Sequence, residues 1–143
     1  MLVSGILKDK GDMVFTASPA DTVAQVASML HQRRVGAMVV VEGDRVVAGI
    51  VSERDIVRLV AEQGAAGLDQ PIADCMTRDV IFAQPDETVD SLLARMTDRR
   101  IRHLPVCVDH NLVGIISIGD LVKSKIAETL AEAEDLRAYI SAA

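Results

Sequence analysis

Two serine–aspartate pairs are the residues whose types and spacing suggest binding chemistry. Ser52 stands three residues before Asp55, and the same spacing recurs between Ser117 and Asp120. A run of β-branched residues, typical of a buried strand, precedes each pair, and an apolar helical stretch follows it. Each pair is therefore expected where a strand meets a helix N-terminus, at which free backbone N–H groups bind anionic ligands. A carboxylate there is also suited to accept two hydrogen bonds from a cis-diol.

Helix capping is the competing interpretation of both pairs. Ser-x-x-Asp at a helix start has the spacing of a capping box, in which Ser52 and Ser117 merely satisfy free backbone N–H groups. Capping and ligand binding do not exclude each other, so the spacing alone leaves both open.

The two pairs belong to an internal duplication of the chain. The segment Gly49–Asp55, which we call corner one, recurs as Gly114–Asp120, which we call corner two. Earlier landmarks recur 66 positions apart, and the distance falls to 65 after a turn in which one residue is lost. The matching landmarks are Pro19 and Pro85, Thr22 and Thr88, Val23 and Val89, Arg33 and Arg99, Arg34 and Arg100, and Ile6 and Ile72. The chain is therefore one unit repeated twice.

Each unit is predicted to form a strand, a helix, a two-stranded hairpin and a second helix. Thr22 is the predicted cap of the first helix and accepts from the backbone of Gln25, whose side chain reaches back. The last helix is expected to continue through the tail from Lys123. In the first half, the elements are a lead-in helix over 1–11, a strand over 13–16, a helix from 22, strands over 37–41 and 46–51, a helix from 52 and a linker at 64–67.

Neither half has enough strands to be stable alone, so the halves are expected to pack about a pseudo-twofold axis with their sheets facing. This predicts an α/β (α+β) fold of two βαββα repeats with one cleft at each corner. The predicted boundaries are 1–67 for repeat one with its lead-in helix and linker, 68–126 for repeat two, and 127–143 for a C-terminal helical extension.

Composition narrows the class of protein. The chain has 143 residues, of which 50% are apolar, enough for a sizeable core. A net charge of −6, with two phenylalanines, one tyrosine and no tryptophan, argues against nucleic-acid binding, which favours a basic face and stacking rings. No apolar run approaches the roughly 20 residues of a membrane span. Two cysteines without a secretory leader predict a cytoplasmic protein.

Catalysis and metal binding find little support in the sequence. The chain has neither a Gly-x-Ser-x-Gly elbow nor the Gly-Lys-Ser/Thr of a P-loop, so no enzyme is expected. His103 and Cys107, joined by Cys75 or His110, are the best candidate metal ligands. Buried structural cysteine is the commoner case, so no metal is expected either. A further alternative is an interaction adaptor with empty clefts, whose apolar helices dimerise.

The repeated unit resembles a CBS domain, the module named after cystathionine β-synthase. The resemblance spans 14–60 and 80–126, and it rests on the Pro-x-x-Thr-Val helix starts, the two corners and the strand Arg102–Val106. The chain is similar to the stand-alone bacterial proteins in which two CBS domains form one compact unit. Repeat one departs from the pattern, because Gly36–Val40 stands where repeat two has Arg102–Val106. We therefore expect two unequal clefts.

The resemblance implies a regulatory module that binds adenosine-containing ligands such as AMP, ADP, ATP or NAD(H). The corner aspartates would hold ribose hydroxyls, and the corner serines would contact ribose or phosphate. Arg102 and His103, at the rim of a buried strand, suit a phosphate, whereas Arg33, Arg34, Arg99 and Arg100 are assigned to helix ends. Aliphatic residues of the strands can hold the purine. The full candidate set is Ser52, Asp55, Ser117, Asp120, Arg102, His103, Pro105, Val80, Val14 and Met38.

Partners are expected to include a second copy of the chain. The stretches 56–60 and 121–126, with an apolar stripe along the C-terminal helix, leave more surface than one small chain covers. The resemblance adds that such modules often pair into flat dimers. It also implies a regulated enzyme or transporter as a further partner.

Overall fold

The computed structural model of the chain describes residues 1–11 and 14–142. Its elements follow the predicted order of strand, helix, hairpin and helix in repeat one, whereas in repeat two the first strand is reduced to a single bridge between Ala83 and Val106. The elements are α1 Val3–Lys10, β1 Thr16–Ala17, α2 Val23–Arg33, β2 Ala37–Glu42, β3 Val46–Ser52, α3 Glu53–Gln63, α4 Val89–Arg99, β4 His103–Val108, β5 Asn111–Ser117 and α5 Ile118–Ala142.

Two predicted elements change form between α3 and α4. The predicted linker at 64–67 lies in a 3₁₀ helix over Gly64–Asp69. The segment 71–76, which the repeat predicts to be a second lead-in helix, contains only a 3₁₀ turn over Ile72–Asp74. The predicted first strand begins at Met13, which lies outside the described residues. The last helix runs unbroken to Ala142, so its predicted continuation is confirmed.

The predicted capping of the first long helix is confirmed. Thr22 Oγ1 accepts from the backbone N–H of Gln25 at 3.1 Å, and the Thr22 N–H donates to Gln25 Oε1 at 2.8 Å. Thr88 caps α4 in the same way by accepting from the N–H of Ser91 at 3.1 Å. The same polar residues therefore start the equivalent helix in both repeats.

The strands form one five-stranded sheet in the order β1-β2-β3-β5-β4. The expectation of two facing sheets is corrected here, because the inner strands β3 and β5 join at a bridge between Val46 and Asn111. One hairpin lies on each side of that junction, β2 with β3 and β4 with β5. Ala17 pairs with Val40 at one outer edge, and Ala83 pairs with Val106 at the other. The two halves are therefore related by the predicted pseudo-twofold axis.

The lead-in segments are exchanged between the repeats. Val3 and Ile6 of α1 are buried in the core of repeat two, together with residues such as Leu104. Ile72 and Met76, which lead into repeat two, are buried in the core of repeat one. Each core is therefore completed by a segment that precedes the other repeat.

This exchange corrects the predicted alignment of the lead-ins. The Val3 N–H donates to the carbonyl of Glu87 at 2.9 Å, and the Ile72 N–H donates to the carbonyl of Asp21 at 2.7 Å. Asp21 and Glu87 are equivalent positions, so Ile72 corresponds to Val3 and not to Ile6. The lead-ins therefore match 69 positions apart, three more than the rest of the repeat.

The first glycine of each corner is required by packing of these lead-ins. A Cβ on Gly49 would lie 2.7 Å from Met76 Sδ and 2.8 Å from the Thr77 carbonyl oxygen, and one on Gly114 would meet a methyl group of Leu7. Real Cβ atoms do not approach other atoms this closely.

Among the described residues, no helix is both long enough and apolar enough to cross a membrane, although α5 has 25 residues.

Candidate functional site

Corner one is a capping box, as the competing interpretation predicted. Asp55 Oδ2 accepts from the Ser52 N–H at 2.9 Å and from the Ser52 hydroxyl at 3.1 Å, while the Asp55 N–H donates to Ser52 Oγ at 3.4 Å. The other carboxylate oxygen, Oδ1, meets Arg58 at 3.4 Å. The box fixes the carboxylate at the N-terminus of α3 and leaves Oδ1 with spare acceptor capacity.

Corner two repeats this geometry and adds a lysine. Asp120 Oδ2 accepts from the Ser117 N–H at 2.9 Å and from the Ser117 hydroxyl at 3.0 Å. Lys10, at the end of α1, donates to the same oxygen at 2.8 Å and to the Ile115 carbonyl at 2.9 Å. Burial alone would raise the pKa of Asp120, but the bonds from Lys10 and Ser117 outweigh it and lower that pKa below its ordinary value. Asp120 is therefore an ionised carboxylate with a cation in place.

A central cavity of about 550 Å³ lies between the two repeats. Its size falls within the roughly 300–1,000 Å³ that is typical of small-molecule sites. It brings together five of the predicted residues: Ser52, Asp55, Arg102, His103 and Ser117. Asp120 is not among its lining residues.

The central cavity is cationic, although the chain as a whole is acidic. Four arginines line it against three carboxylates, and the N-termini of α3 and α5 both border it. Each helix N-terminus adds a partial positive charge and free N–H groups. The cavity therefore suits an anionic group. The charged lining residues are Arg54, Arg58, Arg100, Arg102, Glu53, Asp55 and Asp79.

Hydrogen bonds between backbone groups hold the two strand starts beside the corners. The Ile118 N–H donates to the Arg102 carbonyl at 2.8 Å, and the Glu53 N–H donates to the Gly36 carbonyl at 2.9 Å. Arg102 is therefore anchored at the N-terminus of α5, with its exposed side chain free to reach the cavity.

His103 explains why repeat one departs from the family pattern. A Cβ on Gly36 would lie 3.3 Å from Cε1 of the His103 ring, so the glycine makes room for a ring from the other repeat. Burial, followed by the charge of Arg102, lowers the pKa of His103 below 6.5. The imidazole is therefore neutral at pH 7 and serves as a hydrogen-bonding group rather than a cation.

Four other predicted residues do not line the central cavity. Met38 and Pro105 are buried, Met38 within the core of repeat one. Val14 and Val80 are partly buried.

His103 and Cys107 both lie on β4, but they do not form a joint metal site. Side chains four residues apart on a strand are about 13 Å apart, too far to share one ion. Cys107 lines a different cavity, of about 520 Å³, with His110. Burial raises the pKa of the Cys107 thiol, which disfavours the thiolate form that binds metals. Across residues 1–11 and 14–142, no group of three or more histidine, cysteine, aspartate or glutamate side chains is placed to hold a metal.

Several cavity residues were missed by sequence reasoning. Arg100 was assigned to a helix end, and it does cap α4 with a left-handed backbone, at φ 54°, but it also lines the cavity. Arg54 and Arg58 follow Ser52 on α3, and Asp79 arrives from the exchanged lead-in. Proximity to the corner was an available signal for the two α3 arginines. Nothing in the local pattern indicated Asp79.

Comparison with known proteins identifies the class to which this fold and site belong. The sequence profile of the CBS domain matches residues 11–62 and 72–127, so the chain contains a pair of CBS domains. The chain belongs to the CBS-domain family, as the sequence resemblance predicted.

Two relatives illustrate the match. The crystal structure of the CBS-domain containing protein ATU1752 from Agrobacterium tumefaciens superposes with a TM-score of 0.85 at 44% identity, covering 87% of this chain and 99% of that one. The Arabidopsis thaliana protein named CBS domain-containing protein CBSX3, mitochondrial, is 35% identical over 146 residues, covering 96% of this chain and 71% of that protein. The mixed α/β fold of two tandem repeats is thereby confirmed.

One structural neighbour carries ligands. The CBS domain pair of protein MJ0100 was crystallised in complex with 5′-methylthioadenosine and S-adenosyl-L-methionine. It is 27% identical to this chain, with a TM-score of 0.77 over 86% of this chain and 98% of that one.

Proposed function

We propose that the chain is a regulatory module that binds an adenine nucleotide in the central cavity and has no catalytic turnover. The observation that carries this proposal is that Asp55, Arg100 and Arg102 line one cavity of about 550 Å³. A carboxylate suited to a ribose and guanidinium groups suited to a phosphate thus border the same space. The adenosine-containing ligands of MJ0100 support the same ligand class. AMP, ADP, ATP and NAD(H) are the candidate ligands.

The proposed binding mode separates the sugar from the phosphate. Asp55 accepts from the ribose hydroxyls, because an ionised carboxylate would repel a phosphate placed beside it. Arg102 and Arg100 hold the phosphate, assisted by the N-terminus of α5. Isoleucines of the lining, such as Ile50 and Ile118, cover the purine.

Calorimetry with AMP, ADP, ATP, NADH and a guanine control, GMP, tests the proposal. We expect at least one adenine ligand to bind with sub-millimolar affinity and GMP to bind more weakly. Absence of sub-millimolar binding for every adenine ligand would refute the nucleotide module and favour the adaptor with empty clefts. Thermal unfolding with and without each nucleotide gives an independent readout, since a ligand that binds the folded state raises Tm.

We also propose that the chain forms a homodimer and acts on an enzyme or transporter. Exposed apolar side chains on α3 and α5 support the dimer, among them Val57 at 66% and Ile126 at 55% exposure. A ligand that enters between the two repeats touches both, so it can change their relative arrangement and thereby the surface offered to the regulated partner.

A further inference from the structure

The two corners differ in the cation that contacts the aspartate carboxylate. At corner two, Lys10 Nζ lies 2.8 Å from Asp120 Oδ2 and also bonds the Ile115 carbonyl. At corner one, the cation is Arg58, three residues along the same helix and 3.4 Å from Asp55. The Arg58 side chain is 60% exposed, so that pair is weak. The ion pair at corner two is therefore the stronger of the two, and its lysine comes from a segment far away in the sequence.

The exchange of the lead-ins produces this difference. Lys10 ends the lead-in that packs on repeat two. At the structural offset of 69 positions, its counterpart in the other lead-in is Asp79, which lines the central cavity. A carboxylate cannot neutralise Asp55, so corner one has no equivalent of the lysine.

A backbone carbonyl beside each corner also has a different hydrogen-bond donor in the two repeats. In repeat one, the Ile50 carbonyl accepts from the backbone N–H of Thr77 at 2.8 Å. In repeat two, the equivalent carbonyl of Ile115 accepts from the Lys10 ammonium instead. The lysine side chain thus takes a place that the main chain fills in the other repeat.

We propose that Lys10 is a latch that holds corner two closed to adenosine ligands, so that corner one is occupied first. This inference rests on the proposed nucleotide binding. A ribose whose two hydroxyls bind both oxygens of Asp120 must displace Lys10, because Oδ2 already accepts three hydrogen bonds, one of them from the lysine. The latch is displaceable, since the Lys10 side chain is 38% exposed and can move into solvent. Affinity at corner two is then reduced by the fraction of chains in which the latch is open.

Substitution of the lysine tests the latch. In the full chain, Lys10→Met is expected to raise the number of adenosine molecules bound from about one to about two per chain in calorimetry. Adenosine is the probe, because loss of a lysine would also change the attraction of a phosphate. Lys8→Met, an exposed lysine on the same helix, is the matched control, and Lys10→Arg keeps a cation at the corner. Both are expected to retain one site.

The outcomes separate the latch from the proposed function. Two equal adenosine sites in the wild-type chain, or an unchanged or lower number of sites in Lys10→Met, would overturn the latch alone. No adenine ligand binding to any variant would overturn the proposed function and the latch with it. Lys10→Gln and circular dichroism guard against misfolding of one variant. A rise in the pKa of Asp120 in Lys10→Met, followed by NMR, reports directly that the ion pair has been lost.

Discussion

Arg102 and Gly36 occupy equivalent positions in the two repeats, and this single difference sets the chemistry of the central cavity. Both carbonyls accept from the first N–H of the following helix. Only repeat two places a guanidinium and an imidazole there, and the missing side chain of Gly36 leaves space for the ring of His103. The cavity therefore receives Asp55 from repeat one and Arg102 with His103 from repeat two, and these two repeat-two side chains are the subjects of the first two predictions.

Arg102→Ala is predicted to weaken AMP binding by about 1.5–3 kcal/mol, the usual value of hydrogen bonds to a charged group. Adenosine binding is expected to stay nearly unchanged, because adenosine has no phosphate. The salt dependence of AMP binding should flatten, since one fewer charge is screened. Calorimetry with both ligands measures these effects, and Arg99→Ala, exposed and outside the cavity lining, is the control. Equal weakening of both ligands would show that Arg102 is structural.

His103 is predicted to make the stability of the fold depend on pH. Burial lowers its pKa in the folded chain below 6.5. As the solution is acidified through pH 6.5, the unfolded chain therefore binds more protons than the folded chain. This contribution to the free energy of unfolding is present above pH 6.5 and is lost below it. Urea unfolding at several pH values measures the dependence, which is expected to be shallower in His103→Gln. An equal change in His31→Gln, an exposed histidine on α2, would contradict the assignment.

At the scale of elements, the exchanged lead-ins bind the repeats together. Each lead-in adds a short pairing to the other repeat, at Leu2 with Thr88 and at Thr22 with Pro71. Leu7 packs over Gly114 and Met76 packs over Gly49, so each lead-in covers the first glycine of the corner in the other repeat. The corner, the lead-in and the core of each repeat are consequently one packing unit.

Gly49→Ala is predicted to destabilise the chain by about 1–3 kcal/mol, the usual cost of overpacking. Gly114→Ala, its counterpart, is expected to cost less. The added methyl group at Gly49 meets the backbone oxygen of Thr77, which cannot move alone, whereas at Gly114 it meets the flexible end of Leu7. Urea denaturation of the two variants makes the comparison. A larger loss for Gly114→Ala would disprove this account of the corner glycines.

At the scale of the whole molecule, the notable element is α5, which continues past residue 126, the predicted end of repeat two, to Ala142. Four of its exposed apolar side chains stand at positions with the alternating spacing of four and three residues that is typical of a coiled-coil seam, in which Thr129 and Ala133 take the remaining positions; Leu130 and Tyr139 are exposed outside this spacing. The four side chains are Val122, Ile126, Leu136 and Ile140. The stripe gives the proposed homodimer a definite surface.

Leu136→Glu is predicted to convert the dimer to a monomer, because it places a charge in the seam of the proposed interface. Ala131→Glu adds the same charge on the opposite face of α5 and is expected to leave the dimer intact. Light scattering of the full chain at tens of micromolar measures both variants. A wild-type chain that is monomeric at this concentration would rule out the homodimer, and a dimeric Leu136→Glu variant would move the interface elsewhere.

The sequence by itself determined the repeat, the order of elements and the capped helix starts. These features depend on local chemistry: β-branched runs favour strands, Thr22 and Thr88 satisfy the first N–H groups of their helices, and glycine marks places where a side chain does not fit. The same local patterns identified both serine–aspartate corners. They also carried the resemblance to the CBS domain that the family profile confirmed.

Tertiary structure alone decided which residues meet. The exchange of lead-ins brings Lys10 to Asp120 across 110 positions and shifts the alignment of Ile72 by three. No local pattern encodes such a contact, because the pairing depends on which core is available to bury Val3, Ile6 and Leu7 once both repeats have formed. The same long-range packing placed Asp79 and Arg100 in the cavity with Asp55.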